Sequence, residues 1–141
     1  MNPDAPLPRP GRAAREPGTL APDGSEIRLL ATGRDGATRA SLCEVRLRAG
    51  AISRPVRHRS VEEIWHVTAG RGRVWRCPPG QRAEPVDVAA GDTLVIPTGW
   101  AFQFGAAADT ELRFLCYTCP AWPGPEEAEP AEPGSLGPPT V

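Results

Sequence analysis

Between Glu26 and Cys119, apolar and polar residues alternate in short runs that Gly, Pro or Asp interrupts every few positions. The runs are "EIRLLA" (26–31), "TRASLCEVRL" (38–47), "SRPVRH" (53–58), "EEIWHVTA" (62–69), "RVWRC" (73–77), "EPVDVA" (84–89), "TLVIP" (93–97), "AFQF" (101–104) and "ELRFLCYTC" (111–119). A period of two over four to ten residues, rich in Val, Ile, Thr, Phe and Trp, predicts strands. The connectors "AGRG", "CPPGQRA", "AAGD" and "GAAAD" supply the positive-φ and proline positions that hairpins use. No internal repeat and no helical periodicity compete with this pattern, so the expected class is all-β. Nine short strands cannot protect a core as one flat sheet. They are expected to pack as a sandwich or close as a barrel, and a barrel of this size holds one small ligand.

The pattern fades at both ends. Thirteen of the eighteen prolines fall in residues 1–25 and 120–141. The expected organisation is a disordered N-terminal tail (1–25), a barrel (26–119) and a Pro/Glu-rich C-terminal tail (120–141), with Trp122 placed to anchor the tail's first turn. Such a composition buries too little apolar surface to offset ordering entropy.

Composition narrows the function classes. At 141 residues and a net charge of −1, the chain fits one domain and carries no electrostatic footprint for nucleic acid or an anionic membrane. No apolar run reaches the ~20 residues of a membrane span, and the opening "MNPDAPLPRPGRAAREPG" lacks an apolar signal-peptide core. A cytoplasmic location is the resulting expectation, in which Cys43, Cys77, Cys116 and Cys119 are thiols. Cys116 and Cys119 spell C-x-x-C, but along a strand an offset of three puts them on opposite faces, unlike a redox motif that opens a helix.

Both histidines, two adjacent glutamates and two of the four tryptophans fall within "RHRSVEEIWHVTAGRGRVW" (57–75). In "SRPVRH" the period of two places Arg54, Val56 and His58 on one face, and Val56 makes that face the expected interior. In "EEIWHVTA", Glu63, Trp65 and Val67 share one face and Ile64, His66 and Thr68 the other. Both faces carry apolar residues, so periodicity alone does not choose between them.

A family resemblance does choose. "GAISRPVRHRSVEEIWHVTAG" (Gly50 to Gly70) and "GDTLVIPTGWAFQFGA" (Gly91 to Ala106) resemble the two motifs of the cupins, G-x5-H-x-H-x3/4-E-x6-G and G-x5-P-x-G-x2-H-x3-N. His58 and Glu63 stand at the second histidine and the glutamate; Val56 and Phe102 stand where two further histidines belong, and Ala106 replaces the asparagine. The resemblance implies a single-domain cupin β-barrel, a double-stranded β-helix or jelly roll, with Val56, His58, Glu63 and Phe102 converging on one pocket. Period two adds Trp65, Trp100 and Phe104 as expected lining, and Arg54 as a receptor for a carboxylate or phosphate at the mouth. His66 and Glu62 are expected to face away, and a homodimer through a sheet face is implied by the resemblance.

Metal-bearing cupins use three histidines and a glutamate. One imidazole and one carboxylate fall short of the three or four protein ligands that tight divalent binding needs, and Gln103 should point to the opposite face. No cofactor is therefore expected. What remains is an aromatic pocket equipped for acid–base chemistry, with His58 as acid or base and Glu63 as its partner. The expected function is a metal-independent isomerase, cyclase or lyase acting on an apolar or aromatic small molecule in biosynthesis. Two alternatives stand beside it: a non-catalytic ligand-binding barrel, and a metal-dependent, dioxygenase-like cupin that keeps His58 and Glu63 in an irregular ligand set.

Overall fold

A computed structural model describes residue 4 and residues 9–141. Eleven strands are assigned among these residues: β1 (Thr19–Leu20), β2 (Glu26–Ala31), β3 (Ser41–Leu47), β4 (Val56–His58), β5 (Glu62–Ala69), β6 (Arg71–Cys77), β7 (Val86–Ala89), β8 (Thr93–Ile96), β9 (Ala101–Ala106), β10 (Leu112–Cys119) and β11 (Ala128–Pro130). All nine predicted runs are present as β2 to β10. Antiparallel pairing builds two sheets, one in the order β1-β2-β3-β10-β5-β8 and the other β11-β4-β9-β6-β7. The sheets face each other across one apolar core, as expected for a jelly-roll barrel. No helix among the described residues is long and apolar enough to cross a membrane.

Alternation decides what reaches that core. In β5, Glu63, Trp65 and Val67 are buried while Glu62, Ile64, His66 and Thr68 are exposed. In β10 the buried set is Leu112, Phe114, Cys116 and Thr118. Register then pairs Phe114 with Val67, Cys116 with Trp65 and Thr118 with Glu63, so one polar pair sits at the end of an apolar ladder. The Trp65 ring stacks on Phe114 at 4.2 Å and meets Phe102 and Phe104 edge-on at 5.4 and 5.1 Å. Such contacts contribute about 0.5–1.5 kcal/mol each beyond area burial. The β5–β6 turn needs its glycine: Gly70 has φ +82, and a Cβ there would lie 1.8 Å from the Glu111 carbonyl oxygen.

The two expected tails are where the fold departs from the sequence reading. Residues 1–3 and 5–8 of the N-terminal segment lie outside the described residues. Later in it, Thr19–Leu20 pairs with β2, and the carbonyls of Ala14 and Arg15 accept hydrogen bonds from the buried Arg28 guanidinium. Residues 120–141 wrap the barrel instead of leaving it. β11 adds to β4, Leu136 buries against Trp75 and Cys77, and Thr140 donates its backbone N–H to the Ile52 carbonyl. Proline removed the periodic signal without removing the binding capacity. Extended Pro-rich chain still offers backbone groups to an open sheet edge, and isolated apolar side chains such as Leu136 fill gaps that no period reveals.

Candidate functional site

β4 and β5 meet where the core opens. His58 ends β4, Glu63 lies near the start of β5, and both side chains are buried, with 5% and 7% of the residue exposed. The Glu63 carboxylate is held from two directions: Trp65 Nε1 donates to Oε1 at 3.0 Å and Thr118 Oγ1 donates to Oε2 at 3.0 Å. His58 Nδ1 lies 4.0 Å from Glu63 Oε1, beyond hydrogen-bond reach, and this buried nitrogen has no hydrogen-bond partner among the described residues. The imidazole is clamped between the edges of Phe102, at 5.0 Å, and Trp122, at 5.3 Å.

These groups open into a cavity of about 540 Å³. Val56, Trp65, Phe114, Cys116 and Trp122 form much of its inner wall, and the β1–β2 segment with Leu20, Asp23 and Leu29 forms its mouth. The volume lies within the range of small-molecule sites, and an apolar lining with a few convergent polar groups is their usual character. Cys43 and Cys116 are direct cross-strand partners on this wall. Their hydrogen bond, then burial and the nearby charge of Glu63, push the Cys116 thiol well above its usual range, so it is a protonated wall residue and not a nucleophile. All four cysteines are free.

Of the eight expected site residues, His58, Glu63, Val56 and Trp65 line the cavity together. Four do not. Arg54 is exposed and donates from Nε to the Val141 carbonyl at 2.9 Å; β4 begins only at Val56, so its alternation does not reach Arg54. Trp100 closes the turn after Pro97 with its backbone N–H and lies outside β9, half-buried, away from the cavity. Phe102 and Phe104 point inward as expected but are 1% and 0% exposed, sealed beneath Trp65 as core and not lining. Cys116 and Thr118 of the 111–119 run, whose inward face the sequence left unassigned to the lining, also line the cavity, as do Trp122 and Asp23, which sequence reasoning did not place there. For Cys116 and Thr118 the period-two face of β10 carried the signal; for Asp23 and Trp122 no local signal existed, because both sat in segments read as tails.

The family resemblance raises the question of a metal. Val56 and Phe102 are direct partners across β4 and β9, so the two substituted motif positions adjoin, and neither side chain has a donor atom. Gln103 is turned to the outer face, where Nε2 donates to the carbonyls of Ser53 and Gly137 at 3.0 Å each. Among the described residues no three His, Cys, Asp or Glu side chains are grouped to hold one ion. One imidazole and one carboxylate do not make the donor set that the family's metal requires.

A two-sheet β-barrel with a small-molecule-sized pocket that opens between the sheets is thus the class that fold and site define. A profile of the cupin domain matches residues 43–118, more than half of the chain, and the chain belongs to the cupin family. Among curated proteins no sequence match was found. Among solved structures, the chain is similar to oxalate decarboxylase from Bacillus subtilis, with a TM-score of 0.73 at 19% identity over 89% of this chain. It spans only 33% of that enzyme's length. It is also similar to the polyketide cyclase RemF from Streptomyces resistomycificus, with a TM-score of 0.64 at 25% identity, covering 89% of this chain and 82% of that one. A third is KdgF from Halomonas sp., with a TM-score of 0.59 at 18% identity, covering 71% and 82%. Structural neighbours of this chain therefore include enzymes.

Proposed function

We propose that this cupin is a small-molecule enzyme that moves protons on an apolar or aromatic metabolite without a metal, as isomerases, cyclases and lyases do. Ring closure of a polycarbonyl chain is the reaction that suits its site best. The observation that carries this reading is the buried His58 Nδ1, unpartnered, 4.0 Å from a Glu63 carboxylate already pinned by Trp65 and Thr118. A buried polar atom kept for architecture is normally satisfied by the protein, and catalytic contacts that are long in the free enzyme shorten around substrate.

A carboxylate on the Nδ1 side favours the tautomer protonated there and leaves Nε2 to act as base. His58 removes a proton from a carbon next to a carbonyl, and that carbon bonds to the carbon of a second carbonyl. The second carbonyl's oxygen takes up a proton to become a hydroxyl. Loss of that hydroxyl with a further proton from the attacking carbon expels water, so substrate equals ring plus water. Apolar walls exclude bulk water from the enolate, and aromatic faces suit the flat product. Similarity to a polyketide cyclase over most of both chains supports this choice among proton-transfer reactions.

The test uses an aryl triketone with carbonyls on alternate carbons, followed by chromatography and mass spectrometry for loss of water. His58→Ala and Glu63→Gln should each lower kcat by about 10²–10⁴-fold with the melting temperature near wild type. Full activity in both variants would overturn the acid–base reading. Tight binding of the triketone with no turnover would replace the enzyme by a ligand-binding barrel.

A further inference from the structure

One carboxylic acid besides Glu63 faces the cavity, and it sits in the segment read from sequence as a tail. Asp23 occupies the turn between β1 and β2, where Gly24 N–H donates to the Ala21 carbonyl and Ala21 N–H to the Ser25 carbonyl, both at 2.9 Å. Its Oδ1 accepts from Ser25 N–H at 2.9 Å and Ser25 Oγ at 2.6 Å, while Oδ2 accepts nothing from the described residues. The turn is braced from three sides. The Asp23 carbonyl accepts the Arg54 N–H at 2.8 Å, Ser25 is 1% exposed, and Val141 packs behind Gly24. Gly24 has φ +91, and a Cβ there would meet Val141 Cγ2 at 2.8 Å.

An Asp that only shapes a turn through its own Ser25 bonds works equally well facing solvent. This one is aimed into an apolar cavity. Burial, reinforced by the charge of Glu63 on β5, raises its carboxyl above the ordinary 3.8; the Ser25 hydrogen bonds and the proximity of His58 on β4 oppose the rise without cancelling it. Within the six-stranded sheet, β3 and β10 lie between β2 and β5, so the two carboxyl groups reach the cavity from separate positions along that sheet, Asp23 from the β1–β2 turn and Glu63 from β5. Proton removal from carbon and proton delivery to oxygen need that separation, because the reacting atoms lie on different parts of the substrate.

We propose that Asp23 is a catalytic residue of this pocket, delivering a proton from Oδ2 to the substrate oxygen while His58 removes one from carbon. The inference rests on the acid–base reading above. The Asp23 O–H bond breaks as the new substrate O–H forms; the substrate C–H bond breaks and its proton resides on the imidazole. After product leaves, that proton returns to the Asp23 carboxylate through solvent, and no oxidant or reductant is consumed.

Asp23→Asn preserves the acceptor for Ser25 and removes the transferable proton. Two rates are read in wild type and variant: cyclisation of the aryl triketone, and exchange of the benzoylacetone methylene protons with deuterated water, which needs the base alone. The expected result is a fall of about 100-fold in kcat for cyclisation, with KM and the exchange rate within about 3-fold of wild type. Cyclisation by the variant at the wild-type rate overturns the role of Asp23 and leaves His58 and Glu63 standing. Wild type that neither exchanges nor cyclises overturns the acid–base reading, and Asp23's role with it. A control separates chemistry from turn architecture. A carboxyl raised in the folded state loses stability as pH rises from its ordinary value through the raised one, and Asn does not. The variant's melting temperature relative to wild type should therefore be higher near pH 7 than near pH 3; an unchanged difference overturns the assignment of a proton-holding Asp23 facing the cavity.

Discussion

Gln103 and His58 are both buried polar side chains, set on paired strands of one sheet, and the chain treats them in opposite ways. Gln103 faces outward beneath residues 134–137 and is used fully: its amide donates to Ser53 and Gly137, and its carbonyl accepts from Gly134 N–H at 3.3 Å. His58 faces inward beside Glu63, and its Nδ1 is left without a partner although the ring is packed on two sides. A folded chain normally supplies partners for what it buries. The difference teaches that Gln103 belongs to the architecture, and it supports the proposal that the hydrogen-bonding capacity of His58 serves something that enters the cavity.

The sharpest way to break that comparison is to make each site apolar. Gln103→Leu strands a buried carbonyl at Ser53 and the groups of Gly134 and Gly137 that it ties down. It should lower stability by about 3 kcal/mol in urea unfolding while turnover per folded molecule stays within about 3-fold. His58→Phe removes an unsatisfied polar atom in a ring of similar shape. It should leave stability unchanged or slightly raised and lower turnover by about 10²–10⁴-fold. Equal loss of stability in both variants would place His58 with the architecture.

Glu127 sharpens the comparison, because it ties the segment that covers Gln103 to the turn that follows His58. Its Oε1 accepts from Ser60 N–H at 2.5 Å and Val61 N–H at 2.7 Å, and both oxygens accept from Ser60 Oγ. Burial alone would raise this carboxyl, but the hydrogen bonds from Ser60 and Val61, helped by the proximity of His58, hold it below the ordinary 4.5. A depressed carboxylate contributes stability that is present above its unfolded value and is lost as pH falls through its folded one. Glu127→Gln should therefore cost about 1–3 kcal/mol near pH 7 and progressively less as pH falls below about 4.5, checked by urea unfolding across pH. A difference from wild type that does not change with pH would show that packing, and not charge, fastens the segment.

The barrel was legible because its signals are local. Alternation and turn residues located all nine core strands, and resemblance to the cupin motifs implied that Val56, His58 and Glu63 meet in one place, with Trp65 added beside them by alternation. The rest depended on contacts between distant segments. Nothing in the window around Asp23 records that its carbonyl meets Arg54 or that Val141 packs behind Gly24, since those partners lie 31 and 117 positions away in the chain. Trp122 likewise sits among prolines, where periodicity is silent, yet its ring edge closes on His58. Phe102 and Phe104 show a different limit. Period two names the inward face correctly but does not say whether an inward side chain reaches the cavity or lies under another ring, and Trp65 decides that here by covering both.

Arg54 offers the smallest effect and the cleanest boundary between the two regions. It stands two residues before Val56, where the ladder of β4 has not begun, so its backbone N–H serves the Asp23 turn while its side chain reaches outward to the Val141 carbonyl. An exposed single hydrogen bond of this kind contributes little, and substitutions away from buried features stay within about 0.5 kcal/mol. Arg54→Gln keeps the backbone bond and should change neither stability beyond that range nor kcat/KM for the triketone by more than about 2-fold. A drop of about 10-fold or more in kcat/KM, with stability intact, would mean that the guanidinium swings over the mouth to receive an anionic substrate group. The cavity would then extend past Val56, and the division between the covering segment and the pocket would have to be redrawn at Arg54.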